Sequence, residues 1–330
     1  RSGRRAAPSV TDILLVSLGS TAGLRAADAE LAASLRRAGA EVVEAAVELP
    51  SERRSFVLHD LAQARAARRA AQRALAEHRP RAILYSTVTA ALLWPAPGAI
   101  RFDAPAAGNR PGRHGLWQRP RERRRLAEAP LLVPWSPGAL AEAPSPHADA
   151  VVVPMPVEAS DAAAPERDLA AVTYAADAPK KGLDRVLEAW TAARGAGETL
   201  VVAGTDWPVS GEGVESAGLV APKAFRALLR RARVYVTAPR REDYGLAQLE
   251  ALAEGAMLAT TPAPGPYAAL TLARELDPRL VGDDLAGALR AALDDPTPGY
   301  AERAAAALAP YRRAAVDRTV ADELLPRLLG

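Results

Sequence analysis

Two glutamates in the second half of the chain, Glu242 and Glu250, flank a turn between a predicted strand and a predicted helix. The strand covers residues 234–236 and the helix begins near Leu246, so the turn lies where a strand ends and a helix starts. Free backbone N–H groups at such a helix start favour a phosphate, and Gly245 lets the backbone approach a ligand closely. The Glu250 carboxylate, about one turn into the helix, can accept two hydrogen bonds from a ribose diol. The spacing suits one extended ligand, although the helix dipole alone also stabilises acids in this position.

The lysines of the chain are a second unusual feature. Only three of the 42 basic residues are lysine, and two of them, Lys180 and Lys181, are adjacent in one predicted loop. Their concentration in a chain that otherwise uses arginine indicates a local role, with a solvated turn as the alternative interpretation. No group of residues has metal-ligand spacing, and the absence of cysteine excludes disulfides, thiolate catalysis and cysteine-ligated metals.

Strands and helices alternate along both halves of the sequence, which predicts two doubly wound parallel α/β domains. The first half opens as a βαβ unit, with a strand at 12–17, a glycine-bearing loop, a helix at 26–38 and a strand at 41–44. It continues with a helix at 59–78 ended by Pro80, and with strands at 81–85, 100–102 and 131–133. The second half adds strands at 171–174, 199–203, 219–220, 234–236 and 257–259, and helices at 183–194, 222–231, 246–254, 285–293 and 300–329.

The order of landmarks in the second half resembles the donor-binding half of retaining GT-B glycosyltransferases of the family 4 type, also called glycosyl transferases group 1. The resemblance spans about residues 171–270 and is looser in the first half. Its centre is Glu242-x7-Glu250, with Tyr-Gly-Leu after the first glutamate and Ala-Leu-Ala-Glu-Gly after the second. The other matching segments are Lys180-Lys181-Gly182-Leu183-Asp184, the strand ending in Gly204, Gly218-Leu219-Val220 with the helix that follows, and Ala259-Thr260-Thr261 with Gly265.

The resemblance implies a role for each matching residue. Lys181 would neutralise the donor diphosphate as the leaving group departs, because a fixed cation stabilises the developing charge without a metal. Glu242 would hydrogen-bond the sugar hydroxyls or face the reacting carbon, and Glu250 would hold the ribose. The remaining residues expected to bind the donor are Tyr244, Gly245, Leu246, Leu219, Val220, Gly204, Lys180 and Arg240.

Two family features are missing from this sequence. The family usually has an arginine five residues before the loop lysine, where this chain has Ala176, so Arg240 or Arg241 would have to supply the second cation. The family also often has a histidine near the reacting centre, and none follows the strand that ends at Tyr85. Asp103, after the strand at 100–102, is the candidate catalytic residue of the first half.

Further residues of the first half are candidates for acceptor binding. Gly19 and Ser20 lie in the first βα turn, where a phosphate could approach, although a tight turn alone would also explain them. Arg101 and Arg110, on either side of Asp103, are the basic candidates, with a surface position as the alternative for Arg110.

Charge is spread unevenly along the chain. The net charge is +3, but residues 1–155 carry +8 and residues 156–330 carry −5. A basic first half indicates a charged acceptor, a membrane surface or nucleic acid as partner, or simply an arginine-rich solvated face. The arginine cluster at 119–125 lacks the interleaved aromatic residues and binding motifs of nucleic-acid-binding proteins, so we expect no nucleic acid. The first turn also lacks the Gly-x-Gly-x-x-Gly of dinucleotide oxidoreductases.

These observations predict a GT-B fold of two Rossmann-like domains facing across a cleft. The expected boundaries are 1–155 for the acceptor domain and 156–310 for the donor domain, and the resemblance implies that a C-terminal helix at 311–330 packs back on the acceptor domain. The resemblance also implies retaining, metal-independent transfer of a hexose from a nucleotide-diphosphate sugar, with UDP, GDP, ADP and TDP open as carriers. The acceptor would be a small molecule, a glycan or a lipid-linked molecule, and it could be anionic.

Alternatives remain open at this stage. A nucleotide-sugar-binding protein without turnover would fit the missing arginine and histidine, and a GT-B epimerase or phosphorylase would fit the same fold. No cofactor is expected beyond the donor itself. No apolar run is long enough to span a bilayer and no signal peptide is visible. The absence of cysteine favours a cytoplasmic location, and we expect a bacterial protein that is either free or peripheral at the membrane.

Overall fold

The computed structural model describes residues 9–51, 55–110, 112–145, 147, 149–161 and 166–330. The chain divides into two compact units. Unit 1 contains the chain up to Pro156 together with Ala314–Gly330, and unit 2 contains Val157–Arg313. Among the described residues, no helix is long and apolar enough to cross a membrane.

Unit 1 is built on a parallel sheet in the order β2-β1-β3-β4-β5-β6. Its strands are β1 (Ser9–Ser17), β2 (Val42–Ala46), β3 (His78–Tyr85), β4 (Ala99–Phe102), β5 (Leu131–Pro134) and β6 (Asp149–Ala150). Its helices before Pro156 are α1 (Ala22–Arg37), α2 (Phe56–Glu77), α3 (Val88–Ala91), α4 (Ala106–Asn109), α5 (Gln118–Glu128) and α6 (Pro137–Ala141), with a 3-10 turn at Gly112–Gly115. The central strand β1 is covered on both faces, since Ile13, Leu14, Leu15 and Val16 are all buried.

Pro80 does not end the second helix, as the sequence predicted, but lies inside β3. The helix stops at Glu77 and the strand begins at His78. The proline is tolerated because β3 pairs there only with β1, through Thr11 and Pro80, and β4 joins the other side only at Leu84 and Tyr85.

Unit 2 is a second parallel sheet in the order β11-β10-β7-β8-β9. Its strands are β7 (Leu169–Tyr174), β8 (Leu200–Ala203), β9 (Val214–Gly218), β10 (Ala232–Thr237) and β11 (Met257–Thr260). Its helices are α7 (Ala178–Lys181), α8 (Leu183–Ala193), α9 (Pro222–Arg231), α10 (Leu246–Ala253), α11 (Ala268–Leu276), α12 (Leu285–Asp294) and α13 (Tyr300–Ala307). The predicted pair of parallel α/β sheets is therefore confirmed.

The strand predicted at 219–220 is wrong. The edge strand of this sheet is β9, which ends at Gly218, and Leu219 lies beyond it with 73% of its surface exposed. Gly218 has φ +67°, a left-handed conformation that turns the chain out of the strand. Backbone pairing with β8 through Val214 and Glu215 defines the strand, although most of its side chains are solvent-accessible.

The helix predicted at 300–329 is broken in the structure. It consists of α13, a 3-10 turn at Ala309–Tyr311, α14 (Arg313–Thr319), a π-helical turn at Val320–Leu324 and α15 (Leu325–Leu329). Pro310 and Pro326 lack the N–H that a continuous helix requires, which accounts for both interruptions. Within unit 1, Val316, Val320 and Leu324 join the same apolar cluster as Ile13 and Leu15.

Candidate functional site

The Lys-Lys-Gly loop of unit 2 follows β7 and is fixed by local hydrogen bonds. The Asp177 carboxylate accepts from the Lys180 N–H at 3.2 Å and so caps the short helix α7. Gly182 ends that helix with φ +66°, and a Cβ atom there would lie 1.9 Å from the carbonyl oxygen of Ala238. Only glycine allows this close approach, which sets the loop against the residues that follow β10.

Lys181 and Glu242 form the central contact of the site. The Lys181 ammonium lies 2.6 Å from Oε2 of Glu242, and the same oxygen accepts from Nε2 of Gln248 at 3.0 Å. Glu242 is only 4% exposed, so these two donors supply hydrogen bonds that water cannot readily supply there. Sequence analysis did not predict Gln248 as a site residue. It could have been noticed as the single neutral amide in the helix Leu246–Ala253, whose other residues are apolar or acidic.

The backbone of Glu242 is held by the loop between β11 and α11. Its N–H donates to the carbonyl of Pro264 at 3.1 Å, and its carbonyl accepts from the N–H of Tyr267 at 3.3 Å. A side chain at Gly265 would meet the Glu242 carbonyl at 2.3 Å, so glycine is required there too. Two loops that are distant in sequence therefore determine where the Glu242 carboxylate lies.

The start of α10 presents free backbone donors beside this carboxylate. Gly245 precedes the helix with φ +88°, and its carbonyl accepts the first helical hydrogen bond, from Leu249. The N–H groups of the helix's first turn, from Leu246 onward, consequently have no partner within the helix. Leu246 is partly exposed, whereas Tyr244 is 4% exposed and packs inside unit 2.

The other basic residues of this region are engaged by carboxylates. Lys180 donates to Asp243 at 2.6 Å, and Arg241 lies 2.8 Å from the same side chain. Arg240 holds both oxygens of Asp184, at 2.8 and 2.6 Å. Arg240 and Arg241 are therefore both paired with aspartates, and neither is free to replace the arginine that is absent at position 176.

Glu250 lies on α10 beside an arginine that sequence analysis did not single out. Nη1 of Arg226 is 3.6 Å from Glu250, and the same guanidinium binds Glu254 at 2.6 Å. Burial raises the pKa of Glu250 above its ordinary value, and the nearby Arg226 only partly opposes this. About a quarter of the Glu250 side chain, 26%, stays exposed, so the carboxylate remains accessible to a ligand.

The remaining predicted donor residues follow neighbouring strands of the same sheet. Gly204 comes directly after β8, and its N–H donates to the carbonyl of Gly218 at the end of β9. Leu219 and Val220 follow that glycine, the first exposed and the second partly buried. The carboxyl ends of parallel strands share one edge of the sheet, so these residues lie on the same edge as Lys181 and Glu242.

The candidates of unit 1 occupy the corresponding edge of its own sheet. Gly19 has φ +53° and its carbonyl accepts from Arg25, while Ser20 is partly exposed. Arg101 is 1% exposed and lies 3.8 Å from the buried Asp28 and over the ring of Trp135. In this conformation its guanidinium therefore faces protein and not solvent.

Asp103 and Arg110 are both tied to protein groups. An Asp103 oxygen accepts from the N–H of Ala104 at 2.9 Å. Arg110 forms a two-pronged pair with the buried Asp60, at 2.9 and 3.2 Å. The arrangement gives Arg110 a structural role in holding α2 against the end of α4.

The site in unit 2 has the groups needed to bind an anion and to accept hydrogen bonds from hydroxyl groups. Lysine and free N–H groups can bind a diphosphate, and the two glutamates can accept from hydroxyls. Within the described ranges, no three His, Asp or Glu side chains come together as a metal site.

Part of unit 2 is similar to a known family of proteins. Residues 167–295 match the model of the family described as glycosyl transferases group 1. No curated protein sequence matches the chain significantly.

Solved structures resemble the whole chain at low sequence identity. Sucrose-phosphate synthase from Thermosynechococcus elongatus has a TM-score of 0.68 at 14% identity, with 98% of this chain and 99% of that one covered. WaaG, a glycosyltransferase involved in lipopolysaccharide biosynthesis, gives 0.68 at 15% identity, with 95% and 98% covered. Anabaena HepE, solved in complex with UDP, gives 0.63 at 14% identity, with 96% and 99% covered. The chain therefore has the two-domain GT-B fold, and residues 167–295, within its unit 2, are similar to the glycosyl transferases group 1 family.

Proposed function

We propose that this protein is a glycosyltransferase that binds a nucleoside-diphosphate sugar on unit 2 and transfers the sugar to an acceptor. The observation that carries the proposal is the contact of Lys181 with Glu242 beside the free N–H groups at the start of α10. A cation and helix donors suit a diphosphate, and the adjacent carboxylate suits the hydroxyls of a sugar. The family match over 167–295 and the UDP bound by HepE support the same kind of ligand.

Different residues of the site would contact different parts of the donor. Lys181 and the first-turn N–H groups of α10 would face the diphosphate, on which negative charge grows as the bond to the sugar breaks. Glu242, positioned by Gln248 and the Pro264 carbonyl, would accept from the sugar hydroxyls. Glu250, further along α10, would accept from the ribose. Lys180 and Arg240 would contribute through the loop that they stabilise.

We further propose that transfer retains the anomeric configuration and needs no metal. The bond from the anomeric carbon to the phosphate oxygen breaks, the acceptor oxygen bonds to the same face, and the leaving phosphate takes the acceptor's proton. Glu242 is engaged by an ammonium and an amide, which suits a positioning carboxylate better than a free nucleophile. Lysine and backbone donors would supply the charge stabilisation that a metal supplies elsewhere.

The test begins with a thermal-shift screen across UDP-, GDP-, ADP- and TDP-sugars. A donor present at about 100 times its dissociation constant should stabilise the protein by about 2.7 kcal/mol. With the donor identified, its hydrolysis or transfer is followed by proton NMR with and without EDTA. Release of the α-sugar from an α-linked donor, unaffected by EDTA, is the expected result. Full activity in Lys181→Ala, Glu242→Ala and Glu250→Ala would overturn the assignment of the site.

A second candidate is a nucleotide-sugar-binding protein without turnover. It is favoured by Ala176 in place of a cation and by the pairing of Arg240 with Asp184. Calorimetric binding of a donor, with no sugar release or transfer to any tested acceptor, would support this candidate over the enzyme.

A further inference from the structure

Two helices of unit 1 carry most of the excess positive charge in the described part of that unit. Helix α2 has four arginines and α5 has five, while the same helices have only four acidic residues. Two of these acids, Asp60 and Glu122, are buried, so their charges do not reach the surface of the helices. The basic character of the first half is therefore concentrated on one pair of helices.

The two helices both pack against the short helix α3. Arginines from each helix reach the turn that follows α3. Arg68 of α2 donates to the Leu93 carbonyl at 3.2 Å, and Arg125 of α5 donates to the Leu92 carbonyl at 3.2 Å. The two helices therefore flank the same turn, and we call their exposed faces together the α2–α5 face.

Seven of the nine arginines on α2 and α5 are exposed, and Arg119 and Arg125 are partly buried. Those on α2 recur at helical spacing, which aligns them along one stripe. Among the described residues, five exposed arginines of this face have no carboxylate partner: Arg65, Arg69, Arg73, Arg121 and Arg123. Surface arginines in a protein of nearly balanced charge normally alternate with acids, and this stripe does not.

Large apolar side chains are exposed at one end of this face. Leu58, in the first turn of α2, is 53% exposed, and Leu116, just before α5, is 65% exposed. Both lie close to the region where α2 contacts the 3-10 turn Gly112–Gly115 and where Arg110 pairs with Asp60. Trp117 is partly exposed beside Leu116, with the Arg121 guanidinium over its ring at 5.4 Å.

We propose that the α2–α5 face docks on a bilayer that contains anionic phospholipid. The unpartnered arginines match the negative headgroups, and Leu58, Leu116 and Trp117 match the boundary between headgroups and acyl chains. Nucleic acid would be attracted by the same arginines, but it offers no environment in which exposed leucines gain by burial. The combination of charge with apolar tips therefore favours the lipid surface.

Docking would place one edge of unit 1 near the membrane. The N-termini of helices in a parallel α/β unit lie at the carboxyl edge of its strands, where Asp103 and Ser20 also lie. If the proposed transferase activity holds, an acceptor carried in the membrane would reach unit 1 at this edge. Membrane binding itself does not depend on that activity and is tested separately from it.

Vesicle co-sedimentation of the full chain tests the proposal. Vesicles of phosphatidylcholine alone are compared with vesicles mixed with phosphatidylglycerol, at about 0.05 M and about 0.5 M salt. We expect binding to the anionic vesicles at low salt, little binding to the neutral ones, and a strong loss at high salt. Equal sedimentation with both kinds of vesicle, or with neither, overturns the proposal without any variant being made.

Variants then locate the surface. Reversing Arg65, Arg69 and Arg73 to Glu should lower partitioning at least about tenfold, since each cation near an anionic surface contributes about fivefold. The matched control reverses three exposed arginines of unit 2, Arg185, Arg274 and Arg303, and so makes the same change in net charge. An equal loss in the control would mean that only total charge matters and would overturn the assignment of the face.

The contribution of the exposed leucines to vesicle binding is tested with a separate double variant, and DNA is tested as an alternative ligand. Leu58→Ser with Leu116→Ser keeps every charge and should weaken vesicle binding several-fold, with an unchanged circular dichroism melt. A fluorescent DNA duplex is titrated in parallel. Tight duplex binding that the two serines leave unchanged, together with vesicle binding that they also leave unchanged, would indicate a nucleic-acid surface and overturn the lipid proposal.

Discussion

The ammonium of Lys181 lies 2.6 Å from the carboxylate of Glu242, across 61 positions of sequence. The contact joins the loop after β7 to the loop after β10, two strands that are neighbours in the sheet of unit 2. Because Glu242 is buried and Lys181 is 22% exposed, the lysine is the more accessible member of the pair. A bound diphosphate would therefore meet the lysine, while the little of the Glu242 carboxylate that is accessible would be left for the hydroxyls of the sugar.

Removing this lysine should weaken donor binding specifically. Lys181→Ala deletes a charge-assisted contact worth about 1.5–3 kcal/mol, so the dissociation constant of the nucleoside diphosphate should rise about 10- to 100-fold. Isothermal calorimetry measures it directly. Lys223→Ala, at an exposed position on α9, is the matched control and should bind normally. Unchanged affinity in Lys181→Ala would remove the lysine from the donor site.

A methyl group at Gly182 should displace the whole lysine loop. The added Cβ would lie 1.9 Å from the Ala238 carbonyl, in addition to the cost of φ +66°. Gly197 has φ +76° and nothing within 4 Å, so Gly197→Ala isolates the conformational cost, about 1–2 kcal/mol. We expect Gly182→Ala to lose more unfolding free energy than this control in urea titrations, and to lose donor affinity as well. Equal losses in the two variants would contradict the steric role of Gly182.

Donor binding should weaken in mild acid through Glu250. Its pKa is raised by burial, so the carboxylate takes up a proton at a higher pH than an ordinary glutamate does. A protonated Glu250 accepts the two hydrogen bonds of the ribose less well than the carboxylate does. The affinity for the donor should therefore fall as pH is lowered from about 7.5 to about 5.

Calorimetry on Glu250→Gln separates this effect from general acid sensitivity. The variant should bind more weakly at neutral pH and show little further loss in acid. Glu188→Gln, at an exposed position on α8, should keep the wild-type pH profile. A Glu250→Gln profile parallel to that of wild type would assign the pH dependence to another group.

Glu122 should make unit 1 less stable as pH rises. Its carboxylate accepts from the Ala106 N–H at 2.8 and 2.9 Å, and burial raises its pKa to about 7. Between about pH 4.5 and about pH 7 the unfolded chain loses this proton while the folded chain keeps it, so the unfolded state binds fewer protons and stability falls. Above about pH 7 both states are ionised and the effect is complete.

Thermal or urea unfolding of Glu122→Gln checks the sign of this effect. The stability of wild type relative to the variant should decrease from about pH 4.5 to about pH 7, by up to about 3 kcal/mol. Glu77→Gln, at the exposed end of α2, should show no such trend relative to wild type. A relative stability that rises over the same range would contradict the raised pKa of Glu122.

The sequence predicted the repeating strands and helices well where strands are buried on both faces. Leu200–Ala203 and Met257–Thr260 consist of small and apolar residues that stand out in the sequence, and the structure places both within the sheet. The edge strand Val214–Gly218 was missed because its exposed side chains leave no apolar run. Pro80 was given too much weight, since a parallel strand without a neighbour on one side accepts a proline.

For the site, local chemistry could be predicted and contacts between elements could not. The turn before α10, with Gly245 and the two glutamates, depends on a short stretch of chain and was visible in it. The partners Gln248 and Arg226 depend on how the helix faces its neighbours, which a single sequence does not specify. The pairing of Arg240 with Asp184 likewise requires a loop and a helix to meet across the fold.

The return of the last residues to unit 1 makes unit 2 an insertion within the first unit's sequence. Val316, Val320 and Leu324 complete the apolar cluster that Ile13 and Leu15 begin, so this core takes side chains from both sides of Val157–Arg313. During synthesis, the full sequence of unit 2 leaves the ribosome before the last core residues of unit 1 do. Unit 2 can therefore fold first, and unit 1, which carries the arginines of the α2–α5 face, reaches its final packing only after Ala314–Gly330 has been synthesised.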